Sequence, residues 1–422
     1  MQEDAAAAAR VAIVARAPAK FTRYIARAAS LFTLELRDIE DALDVADALD
    51  VAWVCLEICR RRGRAGISPA IIRKMRICAL ALRIVIEAQL MPRLVSFDPA
   101  QPLRRCFAEL NESWCYREVR FQKGDLPRVL SNLRLPERCI LGNRTPMPGE
   151  TVLLVSLFTL AYPRTQGNTA KEFGFSDQTV VSRILLFFTV HATQTFGHLV
   201  QPANDDDAGF SRWARFIQYF QRRIHAISGH ARYADVAMFT DGTFRPSCRP
   251  AQRQEDFDRG ISTQRRVYSG YKKRHGLTFQ GTMTPCGLFA SMHGSFTGRR
   301  ADGFVFRNTR INAKVAELER ICGFPVKTHV DSAYAVASNT VKGGGYQMSR
   351  SRECVEWGFG LVCSLWAGID WDRKLQLYLN RPGSLYLTAG ILTNMHVCLY
   401  GSLTSRYFSC WPPFTLEEYM SM

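Results

Sequence analysis

Between residues 235 and 366 the chain alternates short apolar runs of strand length with longer helical patterns, and this order points to a mixed sheet covered by helices. Residues 235–240 read as a buried strand ending at Asp241-Gly242-Thr243. Residues 277–284 and 288–293 read as two strands joined by the turn Pro285-Cys286-Gly287. Residues 294–300 read as loop and 302–321 as one helix, with Phe304, Val305, Ile311, Val315 and Leu318 as its apolar positions. A short strand over 326–330 is followed by Asp331, and Gly343-Gly344-Gly345 forms a connector. Residues 349–366 and then 373–379 supply a further helical layer.

Four carboxylates fall in this region: Asp241, Asp302, Asp331 and Glu356. Scattered acids gathered at strand ends are a means of holding Mg²⁺ or Mn²⁺ beside a phosphodiester. Such ions take hard oxygen ligands, and a pair about 3.5–4 Å apart can clamp both the attacking and the leaving oxygen. Each acid also has a structural reading. Asp241 before Gly242 is a turn residue, Asp302 a helix N-cap, Asp331 a loop cap and Glu356 a solvated helix position beside Glu353. Upstream of the strand pair, Tyr268-Ser269-Gly270-Tyr271-Lys272-Lys273-Arg274-His275 mixes cations with aromatics, as in a track for a phosphate backbone or a basic surface loop. His275 reads as a phosphate-orienting or a structural histidine. Arg299 and Arg300, beside Asp302, are further phosphate candidates.

The N-terminal half reads helical. Residues 1–100 carry helical periodicity without recognisable chemistry, including Cys55 and Cys59 beside Arg60-Arg61-Arg62 and a helix starting at Ser68-Pro69. Residues 92–102 read as a proline-containing linker and 136–150 as loop. Residues 151–162 form a strongly apolar helix. The segment 169–176 is a short helix ending at Gly174, and Ser176 is placed to cap a helix over 177–189. This order fits a helix-turn-helix within 150–200, with Gln178, Thr179, Ser182 and Arg183 facing a DNA groove, and equally an ordinary αα-hairpin. Residues 210–227 read as one amphipathic helix, and 246–266 as a polar loop or insertion.

The 422 residues carry 55 Lys+Arg against 38 Asp+Glu, a formal net charge of +17, which suits a polyanionic partner. Hydrophobic content of 47% is enough for a sizeable core. Thirteen cysteines show neither Cys-x-x-Cys nor zinc-finger spacing, and they read as reduced, buried thiols. No apolar run reaches membrane-spanning length. The Ala- and Arg-rich start has some likeness to a transit peptide but reads better as a flexible lead into a helix.

Taken together, the frames Asp241-Gly242-Thr243, Tyr268-Ser269-Gly270-x-Lys272-x-x-His275, Thr284-Pro285-x-Gly287, Gly298-x-x-x-Asp302, Asp331-Ser332-x-Tyr334 and Arg352-x-x-Val355-Glu356-x-x-Phe359-Gly360 resemble the DDE superfamily endonuclease domain of Harbinger-type transposases. Arg120-Phe121 and the helices of 150–200 upstream, with Leu392-x-Asn394 and Pro412-Pro413-x-x-Leu416-Glu417-Glu418-Tyr419 downstream, extend the likeness over roughly 105–422. The resemblance implies a ribonuclease-H-like α/β core at 230–385, preceded by an all-α region at 105–200 and followed by a C-terminal tail at 386–422. It implies metal-dependent DNA cleavage, with Asp241, Asp331 and Glu356 catalytic and all four acids metal-binding. It further implies a separate DNA-binding partner protein; a nuclear location follows from a DNA substrate if the host is a eukaryote, and a homo-oligomer is compatible with the sequence, which does not give the oligomeric state. Two departures stand out: the segment from Asp241 to Tyr268 is long, and that from Asp331 to Glu356 is short, which leaves Glu353 as a fallback ligand. Cys363 also replaces a basic residue. The competing function is a catalytically inactive, domesticated DNA-binding protein.

Overall fold

The computed structural model describes residues 105–422 apart from 143, 204–206, 252–261, 332, 335–336, 344–345, 372–374 and 378, all within one unit, Pro99–Met422. The expectations for residues 1–100 and for the linker at 92–102 lie outside the described residues.

The described part begins with α1 (Glu112–Val119), capped by the Asn111 carboxamide, and α2 (Leu126–Asn132). The stretch 136–150, expected to be loop, contains a small antiparallel ribbon of β1 (Arg138–Ile140) and β2 (Pro146–Pro148). Helix α3 (Gly149–Ala161) is apolar all round and buried along nearly its whole length, so it serves as core between other helices rather than as a surface element. Then come α4 (Gln166–Glu172), a turn through Gly174 at φ +63°, and α5 (Thr179–Val200). The cap of α5 differs from expectation. Asp177, not Ser176, receives the Thr179 N–H at 2.8 Å, because its carboxylate reaches the first free amide.

Residues 210–227 are not a single α-helix. A 3-10 helix, Asp207–Phe216, precedes α6 (Ile217–Ser228). Phe210, Trp213 and Phe216 recur every third residue on the side facing the core, the repeat that a three-residue turn aligns.

The central sheet is formed by β3 (Val236–Pro246), β4 (Tyr268–Ser269), β5 (Arg274–Met283), β6 (Phe289–Thr297), β7 (Lys327–Val330) and β8 (Thr340–Lys342). The short helix α7 (Thr263–Val267) leads into β4. Strand β5 pairs antiparallel with β3 and β6, and β4 pairs with its first two residues. On the other side β7 lies parallel to β3, and β8 parallel to β7. This mixed sheet flanked by helices is compatible with an α/β core. Strand β6 extends through residues expected to be loop, because Thr297 and Phe296 pair with Leu277 and Thr278.

The expected helix 302–321 is two helices, α8 (Asp302–Thr309) and α9 (Ile311–Cys322). The break falls at Arg310, which takes the left-handed conformation at φ +51°. There the hydroxyl of Thr309 donates to the side-chain amide oxygen of Gln280 on β5. Helix α10 (Tyr346–Leu365) crosses the sheet, and α11 (Pro382–Tyr400), α12 (Leu403–Tyr407) and α13 (Leu416–Met420) follow. The described residues around 375–380 form a turn closed on the Gln376 carbonyl rather than a helix. Helix α11 is buried over most of its length. Its Asn394 accepts the Phe289 N–H and donates to the Phe289 carbonyl and to the Tyr419 hydroxyl, tying α11 to β6 and α13. One hydrophobic cluster runs from Leu110 through these layers to Met420.

Candidate active site

Register places two of the acids side by side. Thr240 on β3 is paired with Val330 on β7, and the next residues are Asp241 and Asp331. Neighbouring strands lie about 4.8 Å apart, so two carboxylates at matched positions are close neighbours. Asp241 is not at the end of its own strand, as the apolar run had indicated. Strand β3 continues to Pro246 on β5 alone, and only its parallel partner stops. The run ends at Thr240 because burial on both sides ends there: residues 236–240 are buried, and 241–246 are half-buried. Beneath the pair, the Thr240 hydroxyl meets those of Thr282 and Thr328 at 3.0 and 2.9 Å, a polar tie across three strands.

Helix α10 brings the third acid. Its seating depends on glycines: a Cβ on Gly281 would stand 2.7 Å from the Phe359 ring, and one on Gly358 would stand 2.0 Å from Met283 Cε. Phe359 also packs on Phe289, with ring centroids 5.5 Å apart. One helical turn before Phe359, the side chain of Glu356 is turned to solvent at the edge of the acid group, and Glu353 is exposed.

The fourth acid arrives with α8. Asp302 stands over Gly242, where a Cβ would lie 2.8 Å from Asp302 Oδ1 and 3.3 Å from the Tyr334 hydroxyl. The Asp-Gly-Thr frame therefore needs its glycine to admit Asp302. Tyr334, buried against Phe306, backs the same spot. Gly298 is needed for a similar reason: its N–H donates to the Gly276 carbonyl, and a Cβ there would lie 2.6 Å from that oxygen.

The acids converge on a cation that the sequence reading had not assigned to the site. Arg352 Nη1 lies 2.9 Å from Asp241 Oδ2 and 3.9 Å from Asp331 Oδ1, and its Nη2 lies 4.0 Å from Glu356 Oε1. The available sequence signal was the i,i+4 spacing of Arg352 and Glu356 on a helix. Burial pushes the Asp241 carboxyl up to about 6; the Gly242 N–H and Arg352 oppose this, while Asp331 and Glu356 add to it. Burial also raises Asp302, with Asp331 acting the same way and Lys272 opposing.

The basic segment forms a hairpin tip. Tyr271, Lys272 and Lys273 between β4 and β5, and Arg274 at the start of β5, are exposed. The His275 ring packs on Tyr268, with centroids 5.1 Å apart, and burial lowers its pKa. Arg299 and Arg300 are exposed just before α8, and Arg300 lies over the Phe304 ring. Near Cys363, Arg245 supplies a positive charge that lowers the thiol against the dominant effect of burial. Far along the chain, Gln178 and Thr179 are exposed at the start of α5, with Ser182 and Arg183 half-buried.

Residues 241–394 match the DDE superfamily endonuclease family model. The matched segment begins at Asp241 and ends at Asn394, so it encloses all four acids and the asparagine that anchors α11. Comparison with curated proteins and with solved structures gave no match. A DDE endonuclease domain suggests a transposase-like nuclease acting on DNA, a family that generally uses divalent metals.

Among the described residues, no group of three His, Cys, Asp or Glu side chains is arranged to hold a metal ion. The chemistry of the acid group nonetheless fits one. Its donors are carboxylate oxygens, which suit Mg²⁺ or Mn²⁺. One guanidinium faces three carboxylates, and burial raises the Asp241 carboxyl to about 6. A further positive charge there would be stabilising. Among the described residues no helix is long and apolar enough to cross a membrane.

Proposed function

We propose that this chain is a metal-dependent DNA endonuclease of the Harbinger transposase type, cleaving phosphodiester bonds at the group Asp241, Asp331 and Glu356, with Asp302 in support. The observation that carries this reading is the β3–β7 register, which sets Asp241 and Asp331 side by side inside the matched segment. These carboxylates would hold Mg²⁺ or Mn²⁺, which when bound activates water and stabilises the leaving oxygen. The chain's own part is positional. The Thr240–Thr282–Thr328 tie steadies the strands beneath the acids, and the Gly281 and Gly358 contacts fix the height of α10. Lys272, Lys273 and Arg274 at the hairpin tip, with Arg299 and Arg300, would hold the DNA backbone beside the acids.

DNA recognition through Gln178, Thr179, Ser182 and Arg183 at the start of α5 belongs to the same proposal, as do a nuclear location in a eukaryotic host, a separate DNA-binding partner protein and a homo-oligomer. Incubation of purified protein with supercoiled DNA and Mg²⁺ or Mn²⁺ tests it. Nicking that requires the ion and is lost in Asp241→Asn and Asp331→Asn supports the reading. Binding without cleavage by the wild type would turn it toward a domesticated DNA-binding protein.

A further inference from the structure

We infer that Arg352 is a positioning residue that stands in for the metal in the ion-free site and must withdraw when an ion enters. This inference rests on the metal-dependent reading above. The guanidinium lies among three carboxylates from three different elements, β3, the end of β7 and α10. Without a cation there, Asp241, Asp331 and Glu356 would face one another as like charges. Arg352 thus keeps together a donor set that would otherwise spread apart.

The hold is loose. Only the Asp241 contact, at 2.9 Å, is at hydrogen-bonding distance, whereas those to Asp331 and Glu356 are 3.9 and 4.0 Å. A guanidinium forms its strongest pairs when both arms of the fork engage one carboxylate, and none of these three contacts is bidentate. The group is open on its outer side: the side chains of Asp331 and Glu356 are 40% and 58% exposed, against 15% for Asp241. An incoming ion therefore meets the outer acids first.

A divalent ion bound by these oxygens would sit within a few ångströms of the guanidinium, and two cations that close repel each other. Helix α10 cannot retreat to relieve this, since Gly358, Phe359 and Gly281 seat it against the sheet. The motion is therefore a swing of the Arg352 side chain toward the open side. Ion affinity is then set by competition: the site is assembled before the ion arrives, at the expense of displacing its own cation.

Mn²⁺ titration calorimetry and thermal melts in EDTA test this on the full chain, comparing wild type, Arg352→Gln, Arg352→Lys and Asp241→Asn at low ionic strength. Loss of binding in Asp241→Asn defines the specific site. The expected result is that Arg352→Gln melts several degrees lower in EDTA and binds Mn²⁺ at least tenfold more tightly. Arg352→Lys keeps the charge but not the reach, and is expected to bind severalfold more tightly than wild type; it serves as the test if the glutamine variant does not fold. Site-specific Mn²⁺ binding that is unchanged or weaker in the foldable Arg352 variants overturns the inference and leaves the nuclease reading in place. Absence of site-specific binding in every protein overturns both.

Discussion

Replacing Asp241 by Asn should make the metal-free protein more stable at neutral pH. Burial lifts this carboxyl from an ordinary 3.8 to about 6, so the folded state holds its proton more tightly than the unfolded state does. Folded-state stability from this group is therefore fully present below about pH 4 and is lost as pH rises through 6. The shift of about two units corresponds to about 3 kcal/mol at most, at about 1.4 kcal/mol per unit. The Arg352 ion pair is already counted in that balance, and it does not reverse the direction. Asn cannot ionise, yet its carbonyl can still accept the Gly242 N–H that Asp241 Oδ1 now receives at 2.8 Å. The variant should match wild type near pH 4 and exceed it above pH 7 by on the order of 1–3 kcal/mol, a rise of several degrees in melting temperature. The assay is thermal or urea unfolding of both proteins in EDTA from pH 4 to 8. A gap that does not change with pH, or a variant that is less stable above pH 7, would refute the reasoning.

Four further outcomes follow from particular contacts. Gly242→Ala should leave the protein folded but impair cleavage, because the new Cβ would lie 2.8 Å from Asp302 Oδ1; a nicking assay beside a melt distinguishes lost activity from lost fold. Gly281→Ala should destabilise by about 1–3 kcal/mol through its clash with the Phe359 and Phe289 rings, measured by urea unfolding. Asn394→Ala should cost about 3 kcal/mol or more, since the Phe289 backbone groups and the Tyr419 hydroxyl lose buried partners together, and an unchanged urea midpoint would show that they find others. Lys272→Ala with Lys273→Ala should weaken DNA binding and lower the slope of log K against log salt by roughly one to two, and an unchanged slope would remove the hairpin tip from the DNA path.

Much of the sheet and the acid frames could be read from the sequence because apolar runs follow burial. The run from residue 235 ends at Thr240, where β7 ends, so it marked the site even though the strand itself continues. Strand β6 was read too short because Phe296 and Thr297 pair at a half-buried edge, where apolar alternation fades. The break at Arg310 left no mark, since arginine has no special preference for the left-handed conformation. Strands β4 and β8 are too short, at two and three residues, to carry a pattern. Arg352 was legible only as part of a motif. Its role as the partner of three acids depends on the β3–β7 register and the seating of α10, neither of which a linear reading supplies. The glycines of the matched frames gain their reasons only in three dimensions, at Gly242 beneath Asp302 and at Gly298 against the Gly276 carbonyl.

The most direct test of the central claim is an anomalous difference map from crystals soaked in Mn²⁺. The account predicts a peak bounded by the carboxylates of Asp241 and Asp331, with the Arg352 guanidinium moved away from its present place 2.9 Å from Asp241. A map with no peak at these acids, or with manganese bound only elsewhere on the protein, would contradict it.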